Sequence, residues 1–470
     1  MYGYYQRLSH RSGSIIICTA SVLTSFHYYV ILGGEPATCY IKLDFADSFW
    51  YTLILVSIAR LTTMAAKIFD IRGKMLKLDS RSDIESYFSD IDVDQLEEFY
   101  LGDNTVGVDA AKALGDLFIT TKGLKVAALP DIFATRLISE VPDALTAICN
   151  GLKSVPRLVE LNLSNNALGG RAVHPLVPLL VENRSIQVFK LNNNGLGPEG
   201  GKVIAEALLE SARRSKADNQ PSNLRVVVCG KNRLEDGSAI AWGQALAAHE
   251  HLQKVKMVNN GIREKGLTAI AHGLLKCQDL RYLSLRECLS MEITEGQDPS
   301  VDDGTKHAWH VIANVLRVAK SLEFLDLSDC GLNVPGSLEI VHALAENANS
   351  RLHTLLLENN NMTEVIYEVI ASALASRLAS LRTLSVSWND DLEGEPIGEV
   401  AKVLERRGGK IWVDDEDDAD LDGTSEDLEK ETTYLISVAE VPKVNDAEKP
   451  AESVAEDLVE QLLKLEIKAE

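Results

Sequence analysis

The sequence has no excess of positive charge: lysine and arginine number 47 against 69 aspartates and glutamates in 470 residues, a net charge of −22. Proteins hold nucleic acid chiefly by neutralising phosphates, so that function is excluded as the main task. It also lacks a cysteine framework. The seven cysteines are an odd number with no CxxC and no paired spacing, which reads as reduced and intracellular. There is no Walker A sequence, no nucleophile elbow, no HExxH and no convincing Ser/His/Asp set, so nothing argues for a self-contained active site. Hydrophobic content of 46% and charged content of 25% exclude a wholly disordered chain, a collagen-like fibre and a multi-span membrane protein. The acid is concentrated at one end. From Asp414 to Glu470 there are 20 acids and 5 lysines, a net of −15, which leaves −7 for the other 413 residues.

What is present is a repeat. The phrase LxxLxLxxNxL begins ten times, at Leu96, Leu124, Leu158, Ile186, Leu224, Leu252, Leu280, Leu322, Leu352 and Leu381. The spacings are 28, 34, 28, 38, 28, 28, 42, 30 and 29 residues, the signature of a leucine-rich-repeat array. Alternating apolar positions make a short strand with one face inward. Position 9 is Asn or Cys in nine of the ten, Ile132 being the departure, and an inward Asn there satisfies backbone groups that the bend leaves unpaired. Helical text follows, as in GKVIAEALLESA after Pro198 and GSAIAWGQALAAH after Asp236. The fold class is therefore α/β: a crescent-shaped solenoid with strands on the concave side and helices outside. Length alone suggests about three domains, but no repeat buries its own core, so residues 96–407 read as one domain of ten or eleven repeats.

The flanks differ from the array. Residues 1–63 are rich in Tyr, Phe, Ser and Ile, with nearly uncharged stretches at 14–33 and 48–59. They read as a misannotated or non-native extension, with Met64 as the natural start and 64–95 as an N-terminal cap. Residues 291–306 read as an acidic surface insertion. Residues 408–451 read as a disordered acidic linker, with an amphipathic C-terminal helix over 452–470. Leu458, Leu462, Leu465 and Ile467 in that helix have a spacing that a nuclear export receptor reads, although any short amphipathic helix shares it.

Two motifs read as parts of the array. Gly195, Gly197 and Gly200 satisfy GxGxxG, but every repeat supplies strand, loop and helix, so this is a tight repeat turn. His249 and His251 form an HxH without further convergent ligands. The informative residues stand where each strand enters its loop: Asn193, Lys231, Arg233 and Asn259, with Arg136 placed similarly in an irregular second-repeat loop. The fold has no evident need of them, they are expected to point outward, and loops on a rigid scaffold concentrate function.

At these residues the sequence resembles the Ran GTPase-activating proteins. The resemblance runs from about Phe69 to Asp417, through GKMLKLD (73–79), GDNTVG (102–107), DIFATR (131–136), NNGLGPEGG (193–201), CGKNRLEDGS (229–238) and KMVNNGIREKG (256–266). It implies activation of the small GTPase Ran in trans, without an inserted arginine finger. It implies catalytic roles for Asn193, which helps orient the GTPase's own glutamine, and for Arg136. Lys231, Arg233, Asn259 and Asp103 become partner-binding residues. Where the family commonly has Gly and a basic residue around the Arg, this chain has Thr135 and Ile138. The resemblance further implies no cofactor or metal of its own, since the partner carries GTP and Mg. The expected partner is Ran in its GTP form, joined by a Ran-binding protein, with no nucleic acid or membrane. The protein is expected to be a monomer of the simpler fungal form, cytoplasmic, and perinuclear or shuttling. A pure binding module of the ribonuclease-inhibitor type is the alternative; receptor forms need a nucleotide-binding domain, which the sequence lacks.

Overall fold

The computed structural model describes residues 67–413 apart from 89–90, 289–304 and 348, together with the strands within residues 3–45. In the N-terminal stretch β1 (Gly3–His10), β2 (Gly13–Val22), β3 (Ser25–Gly33) and β4 (Cys39–Phe45) form an antiparallel meander. The nearly uncharged run at 14–33 is thus divided between β2 and β3, paired Ser14 to Gly33. No helix among the described residues is long and apolar enough to cross a membrane.

The array forms one sheet of 12 strands, every pair parallel and the order following the chain. After β5 (Ile68–Asp70) the chain makes the two-residue β6 (Lys77–Leu78), then β7 (Glu98–Tyr100) and the equally short β8 (Thr105–Val106). Next come β9 (Val126–Ala128), β10 (Glu160–Asn162), β11 (Val188–Lys190), β12 (Val226–Val228) and β13 (Lys254–Lys256). The sheet ends with β14 (Tyr282–Ser284), β15 (Phe324–Asp326), β16 (Thr354–Leu356), β17 (Thr383–Ser385) and β18 (Lys410–Trp412). Strands β6 and β8 pair with each other in a separate two-stranded ribbon. The large sheet exceeds the ten phrases by one strand at each end. Ile68–Asp70, in the segment read as a capping strand, pairs onto its start, and Lys410–Trp412 pairs onto its end although it falls in the segment expected to be an acidic linker. Three residues suffice for each strand because it need present only one inward side chain.

That inward column is in register from Phe69 and Phe99 through Leu161 and Phe189 to Leu355 and Leu384. At its start Phe69 stacks on Phe99 with ring centroids 4.5 Å apart, and Phe99 meets the edge of Phe118 at 5.1 Å. Helices between strands cover the other side of this core, among them Gly197–Ala217, Glu235–Ala248 and Glu264–Leu274. The first is 21 residues long, which accounts for the 38-residue spacing. The insertion at 291–306 lies outside the described residues up to its last two, which open the helix Thr305–Val318. The remainder of the expected linker after Val413 and the whole C-terminal helix, with Leu458, Leu462, Leu465 and Ile467, also lie outside them.

Position 9 does what a bend requires. Asn194 Oδ1 accepts from the Asn166 N–H at 3.1 Å, while its Nδ2 donates to Leu163 O at 3.0 Å and Asn192 O at 3.1 Å. Asn232, one repeat on, accepts from the Asn194 N–H at 2.8 Å and donates to Leu191 O at 2.8 Å. Asn104, Asn166, Asn260, Asn360 and Asn389 bond in the same way. Cys288 and Cys330 hold the column with weaker sulfur contacts, each thiol donating to a carbonyl of the preceding repeat, Met257 O at 3.0 Å and Leu285 O at 3.2 Å. Each of these Asn and Cys residues thereby ties its repeat to a neighbour, a side-chain tie that Ile132 cannot make.

Candidate functional site

One residue before each position-9 anchor, the backbone turns left-handed. Asp103, Asp131, Asn165, Asn193, Lys231, Asn259, Glu287, Asp329, Asn359 and Trp388 all have φ between +48° and +62°. The turn is thus a property of the repeat. It explains why Asn and Asp dominate the row, since their short side chains tolerate this conformation. Asn193 and Asn259, expected to be free of any demand from the fold, are in part chosen by it, and so is Asp103.

The loop after β12 breaks this pattern. In the loop after β11 the left-handed positions are Asn193, Gly195 and Gly197; in the next repeat they are Lys231, Arg233 and Glu235, with φ of +54°, +53° and +49°. A long side chain in this region costs roughly 1–2 kcal/mol that glycine does not incur. Backbone strain of this kind collects at functional sites. Lys231 and Arg233 are exposed. No ion pair holds either among the described residues, whereas Lys190 binds Glu160 at 2.7 Å and Arg286 binds Asp329 at 3.0 Å. Two strained, uncommitted cations stand two residues apart.

Asn193 is exposed beside them. Its backbone is fixed by the bond from its N–H to Gly230 O at 2.9 Å, and the preceding Asn192 N–H donates to Ser164 Oγ at 3.1 Å. One amide hydrogen of its side chain goes to Asn165 Oδ1 at 3.1 Å. The second amide hydrogen and the carbonyl oxygen remain uncommitted among the described residues. Asn259 turns the other way and donates to Glu287 Oε2. The carboxamides flanking Lys231 are therefore drawn away from it on both sides, which leaves the two cations as the dominant charge of that rim segment. Asp103 is exposed on the same row, two repeats before Asn165.

Arg136 does not stand outward as expected. Its side chain is only 10% exposed and binds the Asp79 carboxylate. Nε donates to Thr105 Oγ1 at 2.8 Å, and Nη2 donates to Thr105 O at 2.9 Å and Leu78 O at 3.3 Å. Arg136, followed by Lys77, holds the Asp79 carboxyl below the usual carboxylate range. A Cβ at Gly107 would lie 3.1 Å from Nη1 and 3.1 Å from the Asp79 carbonyl oxygen, so a larger residue there would crowd the guanidinium. The inward turn of Arg136 was not visible in the sequence, because its acceptors come from residues 31 and 57 positions away. Leu137 and Ile138 are instead the exposed residues of that loop, at 66% and 77%.

Beyond Asn259 the row becomes acidic. Arg286 faces Asp329 at 3.0 Å and Glu358 at 3.3 Å, and Ser284 Oγ donates to the buried Asp326 at 2.8 Å. Burial pushes the Asp326 and Glu358 carboxyls up. The other motifs are structural. Gly195 and Gly197 supply left-handed turns, and a Cβ on Gly200 would lie 2.8 Å from Gly170 Cα. His249 is buried against Ser222 Oγ and Leu208 O, whereas His251 is exposed and pairs with Asp279 at 2.7 Å. No group of residues able to hold a metal occurs among the described residues. Cys149, Cys229, Cys277, Cys288 and Cys330 are buried free thiols, and burial pushes Cys229 and Cys277 up to about 12.

Comparison with known proteins matches this frame. A leucine-rich-repeat family model matches residues 182–205, which include β11 and the Asn193 loop. Ran GTPase-activating protein 1 of Saccharomyces cerevisiae is 33% identical over 332 residues, 69% of this chain and 78% of that protein. Its namesake from Xenopus laevis is 38% identical over 195 residues, 41% of this chain and 34% of the frog protein, so the match spans about a third of that longer relative. The ribonuclease inhibitor of Mus musculus is 25% identical over 277 residues, 58% of this chain and 55% of the inhibitor. With a third of the aligned residues identical across more than three quarters of the yeast protein, on a leucine-rich-repeat frame, the chain belongs to the family of Ran GTPase-activating proteins.

Proposed function

We propose that this protein stimulates GTP hydrolysis by a Ran-type GTPase in its GTP form, acting in trans from the rim around β11 and β12. The observation that carries this reading is the juxtaposition of a fixed but partly uncommitted carboxamide, Asn193, with two strained and unpaired cations, Lys231 and Arg233. The partner supplies the nucleotide, Mg, the attacking water and the glutamine that positions it. This chain is therefore a regulator with no cofactor or metal of its own. A group held at a fixed angle loses little freedom on docking, and such preorganisation is what lets a polar side chain act on a transition state. Asn193 restrains the partner's glutamine through its remaining amide hydrogen and oxygen. Lys231 and Arg233 engage anionic groups at the docking face, with Asn259 beside them and Asp103 further along the same row. Arg136 acts from inside, by locking the loops that begin the rim.

Further parts of this reading rest on sequence pattern. The protein works as a monomer in the cytoplasm, with a perinuclear or shuttling distribution and a Ran-binding protein joining the complex. Leu458, Leu462, Leu465 and Ile467 engage a nuclear export receptor. Single-turnover hydrolysis of Ran·GTP with and without this protein tests the central claim. Acceleration by wild type, with Asn193→Ala binding Ran·GTP but losing roughly 10²-fold of the stimulation, is the expected result. Tight binding without acceleration would instead make the protein a binder of the ribonuclease-inhibitor type.

A further inference from the structure

The side chain of Asn193 is not left to find its own rotamer. Its one side-chain bond among the described residues runs back by one repeat, Nδ2 to Asn165 Oδ1 at 3.1 Å. Asn165 is itself held, since it is left-handed with φ +62° and its N–H donates to Asn192 O at 2.8 Å. Its neighbour Ser164 accepts the Asn192 N–H through Oγ at 3.1 Å. The loop after β10 therefore grips the loop after β11 at three points: the Asn192 N–H, the Asn192 carbonyl and the Asn193 carboxamide. The first two set the backbone, and only the third sets the side chain. A carboxamide that donates one hydrogen to a fixed acceptor has its plane and its oxygen direction defined, so its other two polar positions present one face to the solvent.

Comparison along the row shows that this direction is a choice. Asn259, at the same position and with the same left-handed backbone, donates forward to Glu287 of the next repeat, whereas Asn193 donates backward. The residue after Asn193 in the row is Lys231, which has no acceptor to offer. The acceptor at position 165 thus decides which way the Asn193 carboxamide faces.

Resting on the proposed Ran-activating role of Asn193, we infer that Asn165 is a positioning residue for GTPase activation. It acts through Asn193 and needs no contact with the reacting groups. The bond is exposed, so its effect is modest: a fall in kcat of roughly three- to tenfold when it is removed, the range expected for one hydrogen bond. Asn165→Gly removes the acceptor while suiting the left-handed backbone, and Asn165→Asp keeps both an acceptor oxygen and tolerance of that backbone.

The experiment measures kcat and KM for stimulated Ran·GTP hydrolysis, with melting temperature alongside, for wild type, Asn165→Gly, Asn165→Asp, Asn193→Gly and the Asn165→Gly/Asn193→Gly double variant. The expected result is a lower kcat for Asn165→Gly with KM and melting temperature unchanged, and near-wild-type kcat for Asn165→Asp. In the Asn193→Gly background, Asn165→Gly should add nothing further. A full-activity Asn165→Gly beside a crippled Asn193→Gly would overturn this inference and leave the function standing. An undiminished effect of Asn165→Gly in the double variant would overturn it too, by showing that Asn165 acts independently. If Asn193→Gly itself is fully active, the reading beneath the inference fails first.

Discussion

The rim of the first repeats and the rim of the middle repeats differ in where their polar groups are committed. At Asp79, Thr105 and Arg136 they are used on one another: the guanidinium meets a carboxylate, a hydroxyl and two carbonyls, and little of it reaches solvent. At Asn193, Lys231 and Arg233 the backbone is just as ordered, yet the side chains keep unused hydrogen-bonding capacity. From sequence the two regions look alike, both being polar residues at a loop mouth. The structure separates them, because an arginine with its donors filled by its own chain supports a shape, whereas a cation without an acceptor awaits one.

The test with the largest expected effect is Asn193→Gly, which keeps the left-handed backbone and removes the carboxamide. Stimulation of Ran·GTP hydrolysis should fall on the order of 10²-fold with the melting temperature nearly unchanged. A comparable fall in melting temperature would erase the distinction between the regions. Arg136→Ala should behave in the opposite manner: the melting temperature drops and activity falls with it, because Asp79 and the Leu78 and Thr105 carbonyls lose their donor. Circular dichroism melts beside the hydrolysis assay would decide; lost activity at full stability would return Arg136 to the partner-facing class.

Acid separates fold from rim in the wild-type protein. Burial holds the His249 pKa down to about 4, against an ordinary 6.5. The unfolded chain therefore takes up the proton first, so the contribution is complete above pH 6.5 and is lost as pH falls toward 4. At pH 5 the loss is about 2 kcal/mol. Thermal melts at pH 7 and pH 5 should show it, with His249→Gln flattening the dependence. The smallest effects belong to the cations. Lys231→Gly and Arg233→Gly should each raise KM by roughly three- to tenfold at low ionic strength, and by less at 0.5 M salt, as screening predicts. Both should melt slightly higher than wild type, since glycine relieves the left-handed strain.

The frame was legible because each repeat states its own geometry. Leu161, Phe189 and their counterparts fill the inward column, and Asn194 and Asn232 anchor the bends. Asn193, Lys231 and Arg233 could be picked out because they stand beside those anchors at the mouths of the loops. What stayed hidden depended on partners in other repeats. Asn165 looked like any polar loop residue until its oxygen was found beneath the Asn193 amide, and only the repetition of Asn-Asn at 165–166 and 193–194 hinted at the pair. The edge strand Lys410–Trp412 lacked the repeat phrase, so pattern could not extend the sheet to it.

The position-9 column also sets how the array comes apart. Apart from Ile132 near the amino-terminal end, asparagine rungs join successive repeats by paired donor and acceptor contacts until Cys288 and Cys330, where sulfur replaces the carboxamide in two consecutive rungs. A thiol is a weaker donor and a weaker acceptor than an amide, and in a solenoid the coupling between neighbours governs how far a local opening spreads. The strands on the two sides of this seam should exchange their backbone hydrogens as two cooperative blocks, with the division falling between β13 and β16. The amino-terminal block, which holds Asn193, Lys231 and Arg233, would then keep its geometry while the carboxy-terminal block breathes.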